Sequence, residues 1–165
     1  MLRPMPIGPI PPETARVARA AFPKGNRYLR VADALETLFT DDAFLALFPP
    51  CGQPAQPPWQ LALATILQYA EGLSDRQAAH AVRSRIDWKY VLRLELTDPG
   101  FDASVLSEFR SRLLAGSAES LLFDTLLSWC RDRQLVKARG RQRTDSTHIL
   151  AAVRALNRLE VVGET

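Results

Sequence analysis

The sequence predicts an all-α fold: a helical bundle with a helix-turn-helix-like element, followed by a short strand and helix that begin a second, incomplete unit. Three observations carry this. Between residues 27 and 134 the apolar side chains recur at three- and four-residue spacing, the period of an amphipathic helix. Stop and start signals divide that run into segments of ordinary helix length. Beyond residue 136 the pattern changes, with basic residues on alternate positions and then a β-compatible TDSTHI run. A hydrophobic content of 47% in 165 residues allows a sizeable core and argues against global disorder. The expected domains are a proline-rich arm over 1–26, a helical domain over 27–136, and the start of another domain over 137–165.

Residues 1–26 open with prolines at five of the twelve positions of MLRPMPIGPIPP, so an extended arm is expected. Leu29, Ala32, Leu35 and Leu38 then predict a helix over Arg27–Phe39. Asp41 and Asp42 begin a short helix through Phe48, their carboxylates suiting the positive end of the helix dipole. Pro49 and Pro50 end it, and PPCGQPAQPP forms a stiff connector.

The next helix, from Trp59, carries Leu63, Ile66, Leu67 and Ala70 on a broad apolar face, with Gly72 placed as its C-terminal cap. Ser74 and Gln77 have the spacing of a capping box and open another helix. Ala78, Ala79, Val82 and Ile86 face inward there, and Arg76, His80, Arg83 and Asp87 fall on the opposite face. An arginine-bearing helix behind a three- to four-residue turn has the shape that enters a DNA major groove. A solvated face on a plain bundle is the alternative.

IDWKYVLRLEL fits a short helix in which Trp88 belongs to the core. Stacking of Trp88 and Tyr90 on nucleic acid, beside Arg85, Lys89 and Arg93, is the alternative. DPGFD is a turn. Asp102 or Ser104 caps a helix that buries Val105, Leu106, Phe109 and Leu113 and turns Arg110 and Arg112 outward. Gly116 and Ser117 mark a joint. Residues 118–134 form a last amphipathic helix with Leu122, Leu126, Trp129 and Cys130 on its buried side.

The net charge of +3 is unevenly placed. Residues 131–143 hold Arg131, Arg133, Lys137, Arg139, Arg141 and Arg143 against a single Asp132, so the rest of the chain nets −2. Such a segment attracts phosphates. The candidate DNA-binding residues are therefore Arg76, His80, Arg83 and Arg85 in the central helices, and Lys137, Arg139, Arg141 and Arg143 in the basic segment. Double-stranded DNA is the expected partner.

Cys51 and Cys130 stand far apart with no CxxC, which excludes a cysteine zinc site and leaves free thiols as the expectation. No run reaches the ~20 apolar residues of a membrane span, and a soluble, cytoplasmic protein is expected. No Walker loop, dinucleotide fingerprint or Ser/Cys nucleophile arrangement is present. Asp145, at the end of the predicted strand, is the one carboxylate set against the basic segment, and suits Mg²⁺, which takes oxygen ligands; a capping or ion-pairing aspartate is the alternative. His148 could join it. Only Glu160 and Glu164 follow as further acids, too few to complete a two-metal site.

FPKGNRYL, GLSDRQAAHAVRSRIDWKYVLRLELTDPGFDASVLSEFRSRLL and KARGRQRTDSTHILAAVRALNRLEVVGET occur in this order and together resemble the N-terminal part of insertion-sequence DDE transposases of the InsH-like group. The resemblance implies a helical N-terminal region ahead of an RNase H-like catalytic domain, with element-end DNA as partner. It implies Asp145 as the first catalytic, metal-binding carboxylate. The second aspartate and the glutamate of that triad would lie downstream, and the sequence ends before them. It thus resembles a truncated transposase, catalytically incomplete as it stands, with Mg²⁺ expected only in a full-length form. A homo-oligomer, or a non-catalytic fragment that regulates or dimerises with a full-length transposase, is the alternative.

Overall fold

The computed structural model describes residues 1–34, 38–134 and 136. The predicted strand, the basic residues Lys137, Arg139, Arg141 and Arg143, and the residues Asp145 and His148 lie outside them. The chain divides into two compact units, Met1–Ser117 and Ala118–Thr165, at the Gly116–Ser117 joint. Among the described residues the regular structure is helical, with no strand.

The first unit runs α1 (Pro12–Ala21), α2 (Arg27–Ala34), a 3-10 segment (Asp41–Leu47), α3 (Pro58–Glu71), α4 (Asp75–Ser84), α5 (Ile86–Val91) and α6 (Ala103–Ala115). α7 (Glu119–Asp132) belongs to the second. There Leu126 and Cys130 are buried, while Leu122 and Trp129 are only half-buried.

α1 corrects the expectation of an extended arm over 1–26. Its prolines sit ahead of the helix or at its first position, where a missing N–H costs nothing, and ETARVARAA contains no breaker. α1 packs on α5, burying Thr14 and Ala18. The Thr14 hydroxyl donates to the Leu94 carbonyl at 2.7 Å. The first eleven residues do lack regular structure, but they are tied down. Ala55 N–H donates to the Met1 carbonyl at 3.0 Å, and Arg93 donates to the Gly8 carbonyl at 2.6 Å.

α3 is the core helix. Trp59, Leu61, Ala62, Leu63, Ala64 and Leu67 are all buried, so apolar residues surround it rather than form one stripe. Pro58 starts it, and the buried Asp41 accepts the Trp59 N–H at 3.3 Å. Burial raises the Asp41 carboxyl above its ordinary range, against this hydrogen bond and a longer one from the Met5 N–H at 3.5 Å. Gly72 ends the helix in the left-handed region, φ +66°, and Leu73 N–H returns to the Gln68 carbonyl at 3.0 Å. α4 packs on both α3 and α6. Phe44 meets Phe109 edge-on, with ring centroids 5.7 Å apart.

Trp88 and Tyr90 of α5 are buried, which makes these aromatics core rather than stacking platforms. Lys89 is buried as well. Its ammonium donates to the Asp98 carbonyl at 2.6 Å and to the Glu95 carbonyl at 3.3 Å, holding the loop between α5 and α6. Gly100 (φ +70°) lets that loop pass close to α4; a Cβ there would sit 3.1 Å from Val82 Cγ1. Asp102 caps α6 by accepting Ser104 N–H at 2.8 Å.

Candidate nucleic-acid interface

Three residues, Gly72, Leu73 and Ser74, connect α3 to α4. The left-handed glycine reverses the chain, and the Ser74–Gln77 capping box then satisfies the first free N–H groups of α4. Ala78, Ala79, Ala81 and Val82 are buried, and three of these four are alanines, so the packed face is narrow and the helix sits close on its neighbours. Arg76, Gln77, His80, Arg83 and Ser84 are exposed along the other side.

The sequence-predicted residues of α4 thus share one face. The Arg76 side chain has no hydrogen-bond or ion-pair partner among the described residues. The Ser84 hydroxyl donates to the His80 carbonyl at 2.8 Å and lies 3.3 Å from His80 Nδ1. Arg83 Nε donates to the Pro99 carbonyl at 3.1 Å, which steadies the stem while leaving the side chain exposed.

Carboxylates near this helix are already engaged. Asp75 pairs with Arg110 at 2.6 Å and accepts Gln68 Nε2 at 2.7 Å. The Arg110 hydrogen bond, with help from Gln68, holds the Asp75 carboxyl below its ordinary range. Arg110 therefore turns back onto the α3–α4 turn rather than outward. Hydrogen bonding from Ser104 keeps the Asp102 carboxyl low, with a smaller contribution from Arg83.

Asp87 does not share the outer face of α4. The helix breaks at Arg85 (ψ 125°), so Asp87 belongs to the first turn of α5, where it is buried. Arg85 is occupied inside the protein. It makes a two-pronged contact with Asp87, at 3.0 and 2.7 Å, and reaches Glu71 at 2.6 Å. Glu71 also accepts from the Tyr28 hydroxyl and, at 3.4 Å, from Trp88 Nε1. Arg27 lies 3.7 Å away. Burial opposes ionisation of Glu71, but the hydrogen bonds of Arg85 and Tyr28 hold its carboxyl below the ordinary value of 4.5. Burial and the Glu71 hydrogen bond in turn push the Tyr28 phenol upward.

No group of three His, Cys, Asp or Glu among the described residues could hold a metal ion. Cys51 and Cys130 are free thiols, the second raised by burial. No helix among the described residues is long and apolar enough to cross a membrane.

The described fold and site define a small helical domain that presents one cationic helix face behind a capped three-residue turn. Residues 16–112, more than half of the chain and including all of α2–α5, match the model of the family described as Transposase domain (DUF772), and the chain belongs to that family. No curated protein and no solved structure matches it.

Proposed function

We propose that the chain is the N-terminal region of a DDE transposase of the InsH-like group and binds the DNA ends of an insertion element. In this reading α3, the three-residue turn and α4 act as a helix-turn-helix, with α4 in the major groove. One observation carries it: Arg76, His80 and Arg83 stand together on an exposed face whose neighbouring Asp75 is paired with Arg110. Arg76 and Arg83 are the residues to reach base edges, where arginine pairs with guanine O6 and N7. Arg85 is left out of the contact set because Glu71 and Asp87 already hold it. Lys137, Arg139, Arg141 and Arg143 supply phosphate contacts. Asp145 is one ligand of the Mg²⁺ used for phosphoryl transfer by a full-length enzyme, and no catalytic step falls to the described residues.

Fluorescence anisotropy with element-end and unrelated duplexes tests this. Arg76→Ala or Arg83→Ala should shrink the preference for element ends by about 5- to 150-fold, the ~1–3 kcal/mol of a bidentate base contact. Replacing Arg139, Arg141 and Arg143 with alanine should weaken all duplexes alike, and Asp145→Ala should leave binding intact. A stable homo-oligomer indifferent to DNA would favour the regulatory alternative and remove DNA recognition from this account.

A further inference from the structure

FPKGNRYLR, at the corner between α1 and α2, takes no part in the α4 face, yet it carries three cationic side chains within nine residues. Lys24, Arg27 and Arg30 are exposed. Gly25 N–H closes the turn onto the Phe22 carbonyl at 2.9 Å, and Asn26 accepts Tyr28 N–H at 2.7 Å, so the corner is built rather than loose. Arg27 and Arg30 are three positions apart in α2 and occupy neighbouring sites on its surface.

Glu71 locates this corner relative to α4. Its carboxylate receives Arg85, the C-terminal cap of α4, and lies beside Arg27 of α2. The corner is therefore linked through Glu71 to Arg85, the residue at which α4 ends. Within the Glu71 cluster the acid lies inside and the cation outside: the Glu71 side chain is 13% exposed, the Arg27 side chain 44%. The Arg27 guanidinium also lies 4.6 Å from the centre of the Tyr28 ring and donates to the Tyr28 hydroxyl at 2.8 Å, which limits its freedom before any ligand arrives. The side chains of Lys24 and Arg30 have no hydrogen-bond or ion-pair partner among the described residues.

We propose that Lys24, Arg27 and Arg30 form a phosphate clamp that grips the DNA backbone where α4 leaves the major groove. The proposal rests on the reading of α4 as the groove helix. From Ser74 to Arg85 the helix extends about 16 Å, more than the ~12 Å width of the groove. Groups just beyond its C-terminal end thus meet the phosphates on the groove's edge. Backbone contacts of this kind set register and orientation and carry no sequence information.

The test uses the whole chain, with Lys24→Ala, Arg30→Ala and the double variant, in anisotropy titrations from 50 to 200 mM salt on an element-end duplex and a scrambled one. Arg27 is avoided because it braces Tyr28. Arg16→Ala, an exposed arginine of α1 already paired with Glu13, is the control. Each clamp substitution should lower the salt slope by about 0.9 and cost about eight-fold in affinity at 0.1 M salt, equally on both duplexes. The preference ratio, the control and the melting temperatures should not move. Unchanged slopes, while Arg76→Ala or Arg83→Ala still shift sequence preference, would overturn the clamp and leave the α4 reading standing. An equal loss in the control would overturn it too, as a general charge effect. Failure of the unmodified protein to bind either duplex at 50 mM salt removes both.

Discussion

Glu71→Ala is the substitution that tests the assembly of the first unit most directly. One carboxylate at the end of α3 collects Arg85, the Tyr28 hydroxyl and Trp88 Nε1, and so joins α2, α3 and α5. Alanine leaves the Trp88 N–H without that acceptor and Arg85 with Asp87 alone. Removing one partner of a fully buried ion pair costs about 3–5 kcal/mol. Here the Arg85 side chain is 35% exposed, so water screens part of the interaction and about 2–3 kcal/mol is expected. For a unit of this size that is a fall of roughly 8–12 °C in Tm, read by circular dichroism. Glu71→Gln, which keeps the volume, should lose less. The pH dependence gives a second readout. Because the folded carboxyl lies below its ordinary 4.5, its stabilisation is fully present above that value. It is lost as pH falls through the lower folded value, so the gap between the parent and Glu71→Gln should narrow below about pH 4.5. A Tm within about 3 °C of the parent for Glu71→Ala, or a gap that does not change with pH, would refute the assignment of this network to stability.

Gly72→Ala should cost about 1 kcal/mol through the backbone alone, since φ is +66° and nothing lies within 4 Å of the added methyl; a chemical denaturation midpoint checks it. Lys89→Met should leave the Glu95 and Asp98 carbonyls without their donor, cost about 2 kcal/mol, and speed amide exchange across residues 95–102 more than in α3.

The local chemistry of the α3–α4 joint was legible in the residues. A glycine after the last apolar position, then Ser74 with Gln77 three places on, specifies the cap and the restart by short-range hydrogen bonds that need no distant partner. The same holds for the burial of Trp88 and for the exposed set Arg76, His80 and Arg83, because helical spacing alone sorts one face from the other. Asp87 was misplaced where the period was carried through Arg85, a residue whose extended ψ resets it. α1 was hidden by the prolines around its start, although the residues after Pro12 are sound helix formers; its docking on α5 supplies the burial that a ten-residue helix lacks alone.

The sequence by itself determined the helical class of the described residues, most of the helix boundaries of the first unit, and which side of α4 meets water, since all of these follow from propensity and spacing within a few residues. Only the tertiary structure decided which charges remain available on that surface. Arg85 is held by Glu71, 14 positions away, and Arg110 reaches Asp75 across 35. Those pairings depend on how α3, α4, α5 and α6 pack, and side chains that distant in sequence carry no local mark of meeting.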